Sequence, residues 1–123
     1  MADGKKVLIV EDDEYLRSLT AKRLEGDGFT VITAQDGDTA IKQATEGPAI
    51  ILLDLLLPGM SGFEVLEKLR ATEGTKTTPI IVFSNLGQKE DIEKAKGLGA
   101  NDFLIKANFT LDDVVAKIQE YLK

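Results

Sequence analysis

Five short apolar runs alternate along this chain with longer segments of helical periodicity, and few folds can accommodate that alternation. A run that is apolar at consecutive positions suits a strand buried on both faces, as in a parallel sheet covered by helices. The intervening segments place apolar residues three and four positions apart, which predicts amphipathic helices. The predicted strands are residues 7–10, 30–33, 50–53, 80–83 and 103–105.

Residues typical of helix ends agree with this division of the chain. Asp36 and Ser61 stand where N-cap residues are expected, Thr110 with Asp113 resembles a capping box, and glycines follow helical segments at positions 28, 47, 74 and 99. The order is a strand–helix unit repeated five times, and such units connect through right-handed crossovers. We therefore predict an α/β fold, a doubly wound three-layer sandwich whose five-stranded parallel sheet has the flavodoxin-like order 2-1-3-4-5.

The length and composition indicate one folded domain over residues 1–123. The chain is 43% hydrophobic and 29% charged, which is typical of a globular protein and not of a disordered segment. No apolar run approaches the roughly 18 residues that span a bilayer, so we expect a cytoplasmic protein without a membrane segment. The chain ends at Lys123 with the last predicted helix, and we expect no DNA-binding domain.

Cysteine and histidine are both absent from the sequence, and this restricts the chemistry. Without cysteine there are no disulfides or thiolate metal sites, and without histidine the commonest general base is lost. Any chemistry must use carboxylates, hydroxyls and lysines. The formal net charge of -6 repels nucleic acid backbones, so we expect no direct binding of nucleic acid and favour a metal cation or a positively charged partner.

Acidic residues follow two of the predicted strands. Glu11, Asp12 and Asp13 come after the first strand and Asp54 after the third, and the carboxyl ends of these neighbouring strands share one edge of the sheet. Each acid alone could simply cap the next helix. Two carboxylates 4 Å apart repel by about 1 kcal/mol in water and more when partly buried, so the cluster needs a cation. An oxygen-only ligand set suits Mg²⁺.

The same edge should also carry a hydroxyl and an ammonium group. Ser84 follows the fourth predicted strand and Lys106 follows the fifth. Taken singly, Ser84 could be a turn residue and Lys106 a solvated surface lysine. Together with the carboxylates they compose a phosphoryl-transfer site, in which Asp54 is the nucleophile, Ser84 donates a hydrogen bond, and Mg²⁺ and Lys106 neutralise the phosphoryl oxygens.

These residues lie in strings that resemble a known family. LIVEDD at residues 8–13 and LLDLLLPGMSG at residues 52–62, followed by Ser84 and Lys106, resemble a CheY-like response-regulator receiver domain of the stand-alone type over essentially the whole chain. The resemblance implies two-component phosphorelay signalling, in which a sensor histidine kinase or a phosphotransfer protein donates a phosphoryl group to Asp54. It implies no enzyme activity beyond the chain's own phosphorylation and dephosphorylation.

The resemblance also implies a ligand set for the metal. Mg²⁺ would be bound by Asp12 and Asp54 directly, by the backbone carbonyl of Leu56, and by Glu11 through water. Asp13 would lie outside this set as the N-cap of the first helix.

A switch and a signalling surface follow from the same resemblance. Ser84 and Phe103 would form the switch pair, although plain core packing explains Phe103 at least as well. A downstream target protein would bind the face of helix 4, strand 5 and helix 5, which comprises residues 88–95 and 110–117, on a monomer or weak dimer.

Three positions depart from the commoner pattern of the family. Asn85 stands where a very small residue is usual, and could narrow access to Asp54 or hydrogen-bond the phosphoryl group. The apolar Leu56 cannot orient an attacking water, which predicts slow self-dephosphorylation. Ala107 replaces the usual proline, and because a cis bond before alanine costs roughly 3 to 4 kcal/mol, we predict a trans bond with Lys106 still reaching the site.

Other functions fit the residues less well. A phosphatase with an aspartyl nucleophile would place a second aspartate, its general acid, where Leu56 stands. A flavin or nucleotide carrier would need a glycine-rich phosphate loop after the first strand, where the sequence has acids. A receiver that acts only as an unphosphorylated scaffold stays an alternative, although every acceptor residue is present.

Overall fold

A parallel sheet forms the centre of the protein, which is described over residues 4–122 by a computed structural model. Its strands lie in the order β2-β1-β3-β4-β5, and all neighbouring strands are parallel. The predicted fold class and strand order are confirmed, and the predicted strand ends differ from the observed ones by at most one residue. The strands are β1 (Lys6–Val10), β2 (Thr30–Ala34), β3 (Ile50–Leu53), β4 (Ile80–Ser84) and β5 (Asp102–Ile105).

Helices follow every strand, and most of them begin at a side-chain cap. The side chains of Asp13, Asp36 and Ser61 each accept a hydrogen bond from the backbone N–H three residues further on. Thr110 and Asp113 form the reciprocal capping box that the sequence predicts. The helices are α1 (Glu14–Gly26), α2 (Gly37–Gln43) with a 3-10 turn (Ala44–Glu46), α3 (Gly62–Ala71), α4 (Lys89–Gly97) and α5 (Leu111–Tyr121).

Strand residues alternate between two buried apolar clusters, which explains why the runs are apolar at consecutive positions. Leu8 and its alternate neighbours pack with residues of α2, α3 and α4, whereas Val7 and Ile9 pack with residues of α1 and α5. Both sides of the sheet are therefore covered, as a doubly wound fold requires. No helix within residues 4–122 is both long and apolar enough to cross a membrane.

Strand register brings the predicted functional residues to one edge of the sheet. Val10 pairs with Leu53, so Glu11 and Asp54, the next residues, leave the sheet side by side. Ser84 pairs with Ile105, which places Lys106 just beyond Ser84. Glycine is required beneath this edge at Gly62, because a Cβ there would lie 2.4 Å from the Asp54 carbonyl oxygen and from the Leu55 Cα.

Candidate functional site

The carboxylate of Asp54 lies at the centre of the site and is held by three donors. Asp54 is 4% exposed. Its Oδ1 accepts a hydrogen bond from Ser84 Oγ at 2.7 Å and another from the Leu56 backbone N–H at 3.1 Å. Its Oδ2 accepts from Lys106 Nζ at 2.9 Å. The donors lie at or just beyond the ends of three different strands, so they fix the orientation of the carboxylate.

Lys106 binds two carboxylates from different strands. Besides Asp54, its Nζ contacts Glu11 Oε1 at 2.6 Å, and the ammonium also lies 5.8 Å from the centre of the Phe83 ring. Burial opposes the charge of Lys106, but the hydrogen bonds to Glu11 and Asp54 outweigh it and raise the lysine pKa above its usual 10.5. Lys106 is therefore a fixed positive charge at this edge of the sheet.

Burial raises the pKa of Glu11. Desolvation raises the pKa of Glu11 above its usual 4.5, the hydrogen bond from Lys106 counters part of that rise, and the charge of Asp54 adds to it. The backbone N–H of Asp13 donates to Glu11 Oε2 at 3.2 Å. Glu11 is thus held from two sides while it lies close to a second carboxylate.

Three acids at this edge lie close enough to share one cation. Carboxylate oxygens of Glu11, Asp12 and Asp54 all lie within 4.8 Å of one another, with Asp12 exposed and the other two buried. Only oxygen ligands are present in this group, and hard cations such as Mg²⁺ prefer oxygen. The donor set therefore fits the magnesium ion that the sequence predicts. Asp13 lies outside it as the N-cap of α1, as expected.

Comparison with known proteins identifies the family to which this arrangement belongs. The family model described as the response regulator receiver domain matches residues 7–119. The chain belongs to the response-regulator receiver domains. It is therefore a phosphoacceptor signalling domain of the two-component, phosphorelay type.

Two curated relatives illustrate the similarity. The phosphate regulon transcriptional regulatory protein PhoB of Escherichia coli is 32% identical over 121 residues, which cover 98% of this chain and 52% of the relative. The alkaline phosphatase synthesis transcriptional regulatory protein PhoP of Bacillus subtilis is 38% identical over 123 residues, which cover 98% of this chain and 49% of that protein. The receiver domain thus spans about half the length of the curated relatives it matches.

Solved structures share the fold over nearly their whole length. The chemotaxis protein CheY4 of Vibrio cholerae matches with a TM-score of 0.89 at 29% identity, covering 96% of this chain and 98% of that one. A CheY-like receiver domain protein of Methanospirillum hungatei matches with a TM-score of 0.90 at 28% identity, covering 97% of this chain and 94% of that one.

The loop after β5 keeps the receiver lysine in place without a proline. No cis peptide bond occurs within residues 4–122, so the bond between Lys106 and Ala107 is trans, as predicted. The Lys106 N–H donates to the Ser84 carbonyl at 2.8 Å, and the Asn108 N–H donates to the Ile105 carbonyl at 2.9 Å. The first bond continues the pairing of β4 with β5, and the second closes a tight turn. From this turn the Lys106 side chain still reaches Asp54.

The predicted switch residues of the receiver are both buried. Ser84 is fully buried with its hydroxyl on Asp54, and Phe103 is 9% exposed within the apolar cluster on the α2, α3 and α4 side. Three residues of the predicted signalling surface, Ala95, Val114 and Val115, are buried. A partner could therefore contact only the other residues of 88–95 and 110–117.

Arg17 was not predicted as part of this edge. It lies on α1, four residues after the N-cap Asp13, and its guanidinium reaches back to the loop between β1 and α1. Helical side chains lean toward the helix N-terminus, so a long basic residue one turn inside α1 was a usable signal.

Proposed function

We propose that Asp54 is the phosphoacceptor of a two-component phosphorelay, with a sensor histidine kinase or a phosphotransfer protein as donor. The observation that carries the proposal is the position of the Asp54 carboxylate, which Ser84 and Lys106 hold beside Glu11 and Asp12. Positioning and charge neutralisation are what phosphoryl transfer requires of a protein.

The proposed step is a single in-line transfer. A carboxylate oxygen of Asp54 attacks the phosphorus of a phosphohistidine, forming an O–P bond while the P–N bond breaks. The donor imidazole nitrogen keeps the electron pair and takes up a proton from solvent. Ser84 and Lys106, which bind the carboxylate before transfer, are then the donors closest to the new phosphoryl oxygens. We propose no other reaction for the chain than this transfer and the later hydrolysis.

The residues that would hold Mg²⁺ are those of the acidic cluster. Asp12 and Asp54 would bind it directly, the backbone carbonyl of Leu56 would add a ligand, and Glu11 would bind through water. When bound, the ion supplies positive charge that neutralises the phosphoryl oxygens during transfer. Without such charge, a phosphoryl donor would be repelled by the acids.

Signalling would pass through contacts with a downstream target protein. We propose that residues 1–123 act as one receiver domain, cytoplasmic and monomeric or weakly dimeric, with Ser84 and Phe103 as the switch pair. The exposed parts of α4, β5 and α5 would bind the target. The charge of -6 disfavours contact of this chain with nucleic acid. Tight, salt-sensitive binding to generic duplex DNA in a fluorescence assay would contradict this part of the proposal.

Intact mass spectrometry after incubation with acetyl phosphate and Mg²⁺ tests the acceptor. The parent protein should gain one phosphoryl group, and Asp54→Asn should gain none. Asp13→Asn is the matched control, because Asp13 caps α1 and lies outside the cluster, and it should be labelled normally. Undiminished labelling of Asp54→Asn would show that another residue is the acceptor.

A further inference from the structure

We infer that Arg17 is a positioning residue for the Mg²⁺ site, because its guanidinium binds the backbone of the two neighbouring acids, Glu11 and Asp12. The inference rests on the proposed function, since it concerns the same metal site. It adds a residue from α1 that contacts no carboxylate of the cluster within hydrogen-bond distance and acts only through the loop that carries two of them.

The contacts of Arg17 are made with carbonyl oxygens. Its Nη1 donates to the Glu11 carbonyl at 2.9 Å and lies 3.4 Å from the Asp12 carbonyl, a longer and weaker contact. The Arg17 backbone N–H also donates to the Asp13 carbonyl at 2.9 Å. One residue therefore binds all three carbonyls of the loop between β1 and α1.

Charge pairing does not account for this placement. None of the ion pairs within residues 4–122 involves Arg17. Arg17 is half-buried, and its guanidinium uses its donors on the carbonyls of Glu11 and Asp12 and not on their carboxylates. A hydrogen bond from a charged donor is stronger than a neutral one, so the contact with Glu11 restrains the loop more than an ordinary turn bond would.

The loop needs such restraint because its side chains repel one another. The carboxylates of Glu11 and Asp12 lie within 4.8 Å of each other and of Asp54. Lys106 neutralises Glu11 and Asp54 only in part, so without a metal ion the remaining repulsion favours loop conformations that separate the acids. A backbone fixed from α1 keeps both acids at the edge of β1. Binding of a metal ion then requires less free energy for ordering the loop, so the affinity of the site for the ion is higher.

The positive charge of Arg17 works in the opposite direction, since it repels Mg²⁺. At physiological ionic strength this repulsion is screened beyond about 8 Å, whereas the geometric restraint is independent of salt. The effect of the charge and the effect of the hydrogen bonds can therefore be separated with two variants. Arg17→Met removes both the donors and the charge, and Arg17→Lys keeps the charge and one group of donors.

Isothermal titration calorimetry of the full chain with MgCl₂ at physiological ionic strength tests the inference. We expect the Kd for Mg²⁺ to rise about 10-fold in Arg17→Met, the effect typical of losing a residue that orients metal ligands. Arg17→Lys should recover at least half of that loss on a logarithmic scale. Lys22→Met is the matched control, because Lys22 is an exposed cation of the same helix, and its Kd should equal that of the parent.

A second measurement separates positioning from general damage. The rate of labelling by acetyl phosphate should fall in Arg17→Met at low Mg²⁺ and return to the parent rate at saturating Mg²⁺, because Arg17 acts through the metal site alone. If Arg17→Met does not fold, Arg17→Gln, which keeps neutral donors, serves in its place. Its expected Kd lies between those of the parent and of a variant without donors.

The outcomes are distinguishable. If the parent binds Mg²⁺ and Arg17→Met binds it equally well or more tightly, the inference about Arg17 is wrong and the proposed function stands. A labelling rate that stays low at saturating Mg²⁺ would also overturn the inference. If the parent itself binds no Mg²⁺, the proposed metal site fails, whatever the variants do.

Discussion

Lys106 Nζ lies 2.6 Å from Glu11 Oε1, which places the ammonium of the loop after β5 against an acid at the end of β1. The same ammonium binds Asp54 Oδ2 at 2.9 Å. Two of the three acids of the proposed metal site are therefore already neutralised in part by a lysine. A cation that binds this cluster must share Glu11 and Asp54 with Lys106.

Removal of the Lys106 charge should destabilise the metal-free protein. Lys106→Met leaves the buried carboxylates of Glu11 and Asp54 without a cation, and we expect a loss of about 3 kcal/mol, the lower end for a broken buried pair. Urea unfolding without metal measures it, and added Mg²⁺ should restore part of the loss. Lys76→Met, which breaks an exposed pair, is the control and should change little. An unchanged midpoint in Lys106→Met would contradict the prediction.

Asp12 should determine how much Mg²⁺ stabilises the fold. At a concentration one hundred times its Kd, Mg²⁺ should stabilise the parent by about 2.7 kcal/mol, and Asp12→Ala should gain far less. The variant without metal should be at least as stable as the parent, because repulsion within the cluster is relieved. Thermal melts with and without Mg²⁺ measure both effects, and Asp38→Ala on α2 is the control. An equal gain in variant and parent would show that Asp12 is not a ligand.

Leu56 should slow the hydrolysis of the phosphorylated protein. Leu56 is 48% exposed two residues after Asp54, and its side chain has no group that could orient an attacking water. We expect Leu56→Asn to lose its phosphoryl group several-fold faster, while Leu56→Met keeps the parent rate. Intact mass spectra after removal of the donor follow the decay. Equal decay of the asparagine and methionine variants would exclude this role for residue 56.

The N-cap of α2 should make stability depend on pH in acid. The hydrogen bond from the Thr39 backbone N–H, at 2.8 Å, lowers the pKa of Asp36 below its usual 3.8. A lowered pKa means that the charged cap stabilises the fold above pH 3.8, and this contribution is lost as the pH falls through the folded-state value. Asp36→Asn keeps a cap without the charge, so its deficit in unfolding free energy against the parent should be present at pH 7 and shrink as the pH falls below 3.8.

Urea unfolding of both proteins between pH 7 and pH 3 measures this dependence. Asp38→Asn, in the first turn of the same helix, controls for the loss of a negative charge near the helix N-terminus. If the unfolding free energy of Asp36→Asn falls below that of the parent by the same amount at every pH, the charge of the cap does not contribute to stability.

The helix caps show how far local sequence patterns can be used for prediction. Asp13, Asp36, Ser61 and Thr110 each bind a backbone group only three residues away, so the sequence alone indicates them. Arg70 is the opposite case. Its guanidinium binds the carbonyls of Thr75, Thr78 and Gly99 and the amide oxygen of Asn101, and these acceptors lie in two loops, one before β4 and one before β5. The sequence shows only a basic residue in the last turn of α3.

The sequence by itself determined the elements, their order and the acids, hydroxyl and lysine at one edge of the sheet. Apolar periodicity and caps are local, and strand order follows from the alternation of strands and helices. Only the tertiary structure decided that Lys106 binds Glu11 as well as Asp54 and that Arg17 binds the carbonyls of the loop between β1 and α1. Long side chains with several rotatable bonds choose partners by distance in space, and Lys106 and Glu11 are 95 residues apart in the chain.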